Sequence, residues 1–300
     1  MHNKFWLQRM YCPRLDHFVR FNPNGTVSRC GHMVHAPQFD TLAEMESSTW
    51  LTKIKEKMLN GQWPAECVRC QETEPNSIRV YAISLDDQTA QRDYLQVGGV
   101  LDNLCNSACL TCDEKLSSRI GSLNGPGFPI INNFDQFCKL PQEKIIHLDI
   151  NGGEPSYSKN YKKLLKNLPP NLKTLRLNTN CSTVLSELSD IAQHGVEVTV
   201  TVSCDGIGAV HELVRWPITW QNFYDNLMIY KTMPVHLNLW TTVSVLNVED
   251  LPNIQKFAQE HGIDHSYAYL KTPYELSVDN NDFVAKNAYI EKQKKLRGMV

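Results

Sequence analysis

From about residue 97 onward, apolar runs alternate with amphipathic stretches. The runs are VGGVLDNL (97–104), KIIHLDI (144–150), TLRLNTN (174–180), VEVTVTVSC (196–204), VHLNLWTTVSV (235–245) and HSYAYL (265–270). Most are short, rich in β-branched residues and bounded by turn or polar residues, as strands are. Between them, SKNYKKLLKNL (158–168) keeps its apolar residues on one helical face and its lysines on another. VLSELSDIAQHG (184–195), WQNFYDNLMIYKT (220–232) and DLPNIQKFAQEHG (250–262) also predict helices. Gly195 and Gly262 are their stop signals, and Asp250 is the expected N-cap of the last.

Strand–helix alternation implies parallel strands joined by right-handed crossovers. Six strands are too few for a full eight-fold barrel; an open six-stranded barrel and a doubly wound sheet both fit. In either, ligands gather at the carboxyl ends of the strands. The residues there are CNSACLTC (105–112), NGGEP (151–155), TN running into CS (179–182), and SCDG (203–206) followed by HELVRW (211–216).

The first hundred residues read differently. NPNGTV (22–27) is a turn signal between FVRF and TVSRC, which predicts a β-hairpin flanked by Cys12 and Cys30. STWLTKIKEKMLNGQWP (48–64) predicts an amphipathic helix stopped by Gly61 and Pro64, and ECVRC (66–70) follows with Cys67 and Cys70. Four cysteines from a hairpin and a post-helix turn compose a four-thiolate site. Zinc and an iron–sulfur cluster both suit it, with His32 and His35 as alternative ligands.

Composition narrows the chemistry. The chain has 300 residues, 42% of them apolar, and a net charge of −2, so no basic bias points to nucleic acid. The opening residues lack the apolar stretch of a signal peptide, and no window of ~18 apolar residues predicts a membrane span. A cytoplasmic protein is expected. Its ten cysteines, seven of them within the first 112 residues, suit metal ligation better than a disulfide scaffold. Cys105, Cys109 and Cys112 fall within one loop. Structural zinc takes four ligands and a four-iron cluster usually four thiolates, so three would leave one iron open to a small molecule.

CNSACLTC resembles the C-x3-C-x2-C signature of the radical S-adenosylmethionine (SAM) enzymes. GGEP, Gly152 to Pro155, resembles their glycine-rich motif, in the family's order after the first and second strands. The resemblance spans roughly 97–270 and implies a partial (βα)6 TIM-like barrel. It implies a [4Fe–4S] cluster on Cys105, Cys109 and Cys112. It also implies SAM contacts from Gly152, Gly153, Glu154 and Pro155, from Asn180, Ser203 and Asp205, and from Arg215 as a carboxylate partner. SAM would be cleaved reductively and a substrate hydrogen abstracted, with an electron donor such as flavodoxin or ferredoxin. The substrate implied is a peptide or protein side chain; a small metabolite is the alternative, and a non-catalytic zinc-binding protein the alternative from another class. Cys12, Gly25 and Cys30 match the start of the SPASM or twitch modules, which carry auxiliary iron–sulfur clusters. The family's module usually follows the barrel, and here it precedes it. The organisation expected is therefore 1–95 module, 96–275 barrel and 276–300 C-terminal helix, the last presenting a solvated basic face. Cys181 is the candidate hydrogen donor near the radical, Cys204 faces away from Ser203 and Asp205, and Cys138 packs in a helix. The aromatics of 266–274 are expected at an adenine pocket or in a packed last strand.

Overall fold

The computed structural model describes residues 10–90 and 93–299. Residues 1–9, on which the reading of a missing signal peptide partly rests, lie outside the described residues. The described residues form eight strands: β1 Phe18–Phe21, β2 Val27–Ser28, β3 Leu95–Val100, β4 Ile145–Asn151, β5 Thr174–Thr179, β6 Glu197–Ser203, β7 His236–Val243 and β8 Asp264–Tyr269. They form one sheet in the order β2-β1-β3-β4-β5-β6-β7-β8. Only the β1–β2 hairpin pair is antiparallel.

This order decides between the two architectures the sequence left open. A doubly wound sheet reverses direction at a switch point, whereas here β3 to β8 follow one another in sequence order, as in a partial barrel. The strands' pleat separates two surfaces. Leu148, Ile150, Leu177, Val200, Val202 and Leu239 face the helices and join Tyr161, Leu164, Phe223 and Leu227 in the main core. Parallel strands are commonly apolar on both faces. Here the other face is polar. Asp149, Asn151, Arg176, Asn178, Thr201 and Trp240 line an open cavity of about 680 Å³.

The helices begin where short oxygen-bearing side chains can cap them. Ser158 accepts hydrogen bonds from Asn160 N and Tyr161 N to start Lys159–Lys166, and Thr219 accepts from Asn222 N to start Trp220–Thr232. Gly262 takes the left-handed conformation (φ 63°) after Leu251–His261, as expected. Asp250 makes no capping bond; its carboxylate instead accepts from Ile207 N at 2.6 Å and from Asn253 Nδ2. The helix expected over 184–195 is shorter, Glu187–Gln193.

The N-terminal hairpin extends the barrel's own sheet, since β1 pairs in parallel with β3. That pairing explains the double glycine in β3. A Cβ on Gly98 would lie 2.8 Å from the Phe18 ring, and one on Gly99 would lie 2.1 Å from Phe21 O. A second core forms where Leu51, Ile54 and Met58, on one face of the helix Thr49–Leu59, meet Leu15 and Cys67. Each such fully buried aliphatic side chain contributes about 1.5–3 kcal/mol.

The C-terminal helix is Phe283–Leu296. It has the exposed face expected of it, but it is also anchored. Tyr289 and Ile290 pack against a cluster containing Leu110, Leu270 and Leu276, and the following Arg297 is only 5% exposed. Cys138 is exposed at the end of Phe134–Phe137, not packed as the sequence suggested. Tyr267 and Tyr269 of β8 are exposed too, which rules out the packed-strand explanation for them. No helix among the described residues is long and apolar enough to cross a membrane.

Candidate functional site

The loop after β3 carries Cys105, Cys109 and Cys112, the first two buried and the third partly exposed. Segments from each of the next three strands are bonded to it. From β4, Glu154 N donates to Leu104 O at 2.7 Å and Gly153 N to Leu116 O at 3.1 Å. From β5, the Asn180 side-chain amide donates to Asn106 Oδ1 and Ser107 Oγ, each at 2.8 Å. From the segment after β6, Ala108 N donates to Trp216 O and Leu110 N to Val214 O, both at 2.9 Å. The chain therefore uses its strand ends to hold one loop rigidly.

The glycines make the closest approach possible. Gly152 (φ 82°) and Gly153 (φ 63°) have left-handed backbones. A Cβ on Gly153 would sit 2.8 Å from Leu104 O and 2.9 Å from Asp102 O. Glu154 is buried, and its carboxylate accepts hydrogen bonds from Ser156 N and Oγ, Thr179 Oγ1 and Asn180 N. Burial pushes its carboxyl up, against those four donors. Glu154 thus joins the β4 loop to the end of β5, with Pro155 buried beside it.

Charge is concentrated at the same place. Arg215 Nη1 lies 3.3 Å from Asp205 Oδ2, and Asp205 also accepts from Thr242 N at 2.7 Å. Burial pulls the Arg215 guanidinium down, but Cys109, Asp205, Cys112 and Cys105 pull the other way and it lies above its ordinary range. Its Nε is buried with no hydrogen-bond partner among the described residues, an orphan donor beside the cysteine loop. Burial, reinforced by the neighbouring Cys109, pushes the Cys105 thiol up to about 12.

Three further residues of this site carry no local sequence signal. Arg297 donates from Nε to Ala108 O and from Nη2 to Cys109 O, at 3.2 Å, so the end of the C-terminal helix grips the cysteine loop. Arg119 donates to Asn106 O at 2.9 Å while stacking on Trp216. Asp102, fully buried, accepts from Leu104 N and Asn160 Nδ2 and ties the loop to the helix after GGEP.

Ser203 ends β6 on the cavity face, in register with Trp240. Cys204 is buried on the helix side, as expected. Cys181 is not with the site. It is fully buried in the helix-side core, with its thiol directed to Phe223 O at 3.7 Å. That position removes it from the strand-end cleft.

The other four cysteines come together at the opposite end of the sheet. Cys12 precedes β1, Cys30 follows the antiparallel β2, and Cys67 and Cys70 flank the start of the helix Val68–Thr73. All four line one small cavity with Leu15, Met58 and Trp63. His32 lines it too, and its backbone N–H lies 3.4 Å from Cys30 Sγ. Burial, with help from the neighbouring sulfurs, pushes the Cys12 and Cys67 thiols up to about 12. All ten cysteines are free thiols. Among the described residues, no three His, Cys, Asp or Glu side chains converge on a single metal ion.

No protein-family model matches the chain. Over 126 residues it is 28% identical to pre-heme d1 synthase from Dinoroseobacter shibae; the match covers 41% of this chain and 31% of that one. The chain thus matches less than a third of that relative's length. Solved structures of Streptococcus suis SuiB are also similar. The form bound to S-adenosylmethionine is 14% identical, covering 85% of this chain and 60% of that one (TM-score 0.44). The form bound to its precursor peptide SuiA is 14% identical, covering 95% and 70% (TM-score 0.48). These structural likenesses are faint, and the fold assignment rests on the strand order itself. The three-cysteine loop and the GGEP loop bonded to it thus lie together at the strand ends, where the resemblance to the radical S-adenosylmethionine enzymes put them.

Proposed function

We propose that the protein is a radical SAM enzyme whose three-cysteine loop holds a [4Fe–4S] cluster and whose strand ends hold SAM against it. The observation that carries this reading is the bonding of the β4, β5 and post-β6 segments to that loop. When bound, the cluster and SAM supply reductive cleavage to a 5′-deoxyadenosyl radical that abstracts a substrate hydrogen. The residues fit that pair. Three thiols in one loop suit a cluster with one open iron. Gly152 and Gly153 let the GGEP backbone close onto the cysteine loop, where a Cβ would collide with Val100 and with Leu104 O, and the unpartnered Nε of Arg215 is a donor for a carboxylate. Asp205 holds the Arg215 guanidinium in place, and Asn180 fixes the loop's orientation.

The four-cysteine cavity is proposed to hold an auxiliary iron–sulfur cluster, with the inner face of the barrel between the two centres. The substrate is proposed to be a peptide or protein side chain entering the polar cavity of about 680 Å³, which is lined at its edge by Asp264 and Ser266 of β8. A flavodoxin or ferredoxin is the proposed electron donor.

The test is anaerobic reconstitution followed by reduction in the presence of SAM. Release of 5′-deoxyadenosine, lost in a Cys105→Ala/Cys109→Ala/Cys112→Ala variant, supports the reading. A colourless protein that binds only zinc overturns it.

A further inference from the structure

We propose that Arg14 is the positioning residue of the four-cysteine site, donating to the Cys30 sulfur and setting the potential of the centre held there. This rests on the iron–sulfur reading of that site. Arg14 is the side chain shared by two cavities. It lines the four-cysteine cavity and also a cavity of about 220 Å³ on the inner face of the barrel, at the amino ends of the strands. It is 6% exposed, and its guanidinium carbon lies 4.1 Å from the centroid of the Phe18 ring. Nη1 is 3.8 Å from Cys30 Sγ. Nε is buried and has no hydrogen-bond partner among the described residues.

A buried cation needs a counter-charge, because its desolvation is otherwise uncompensated. No carboxylate pairs with Arg14 among the described residues; the group facing it is a cysteine sulfur. A metal centre held by four thiolates carries excess negative charge. The cation and the site therefore complement each other, in surroundings made apolar by Leu15, Met58 and Trp63. Hydrogen bonds to ligating sulfurs and burial are the levers by which a protein sets such a centre's potential. A cationic donor stabilises the reduced, more negative state and so raises the potential.

The test uses the full chain carrying Cys105→Ala, Cys109→Ala and Cys112→Ala, so that any iron reports the four-cysteine site alone. Iron and sulfide are counted, and the midpoint is followed by electron paramagnetic resonance during redox titration, with Arg14→Gln and Arg14→Lys added in turn. The expected result is that Arg14→Gln keeps its iron and its potential falls by about a tenfold change in the oxidised-to-reduced ratio, ~59 mV for a one-electron couple. Arg14→Lys recovers part of the shift. An unchanged midpoint and line shape in an iron-loaded Arg14→Gln variant overturns the proposal. Loss of iron from both Arg14 variants also overturns it, the side chain then being needed to build the cavity rather than to tune its contents. If the starting variant holds zinc or nothing, the iron–sulfur reading of the site falls and the proposal falls with it.

Discussion

The two cysteine regions solve opposite problems. The loop after β3 draws three thiols from one stretch of eight residues and is braced by hydrogen bonds from three later strand ends. The N-terminal cavity draws four thiols from separate elements, and Leu15, Met58 and Trp63 wall it in. One arrangement is held by polar donors, with the buried Arg215 Nε left without a hydrogen-bond partner among the described residues. The other sets its sulfurs among apolar side chains together with Arg14, His32 and Arg79. Each also has a buried arginine close by, Arg297 on the loop carbonyls and Arg14 on the Cys30 sulfur. The two thiol sets thus differ both in how the chain gathers their cysteines and in what stands around them.

Substitutions sharpen that contrast. The largest effect is expected from Cys105→Ala/Cys109→Ala/Cys112→Ala, which should abolish 5′-deoxyadenosine release and remove about half the iron if each region holds one four-iron cluster. Loss of all the iron would break the comparison. The converse change, Cys67→Ala/Cys70→Ala, should remove the other half while calorimetry still detects SAM binding. Asp205→Ala leaves the Arg215 guanidinium buried without its partner and should cost about 3–5 kcal/mol in chemical denaturation. Gly153→Ala forces a side chain into a left-handed backbone against Leu104 O and should cost about 1–3 kcal/mol while weakening SAM binding. Asn180→Ala removes two hydrogen bonds to the cysteine loop and should cost about 1–2 kcal/mol, read as a lower melting temperature.

The barrel and its strand-end stations were legible because their signals are local. A run of alternating apolar residues predicts its own strand, and C-x3-C-x2-C or GGEP needs only eight or four consecutive residues. Arg297 was not legible, since its partners at Ala108 and Cys109 are 189 and 188 residues away and nothing in KKLRGMV announces them. The contact of Arg14 with Cys30 spans only 16 residues, but it depends on how the hairpin folds back, which no local motif announces. Asp250 was read as a cap from its place before a helix, but the Ile207 amide outcompeted the helix for its carboxylate. Cys181 was read from its nearness to a strand end. It is buried on the helix side, on the same alternation as Leu175 and Leu177 of β5, so the strand's own period pointed away from the site. The double glycine in β3 could be read as a place of close approach, but not of what approaches.

What approaches is β1, and its seat beside β3 bears on how the protein can be dissected. Strand β3 is buried along its whole length and hydrogen-bonded on both sides. Trimming away the hairpin would bare a row of unsatisfied amides and carbonyls on a glycine-containing strand, a template for self-association. A shortened version beginning at the barrel should therefore precipitate, and the hairpin would have to be supplied in trans, or replaced by another strand, to keep the barrel in solution.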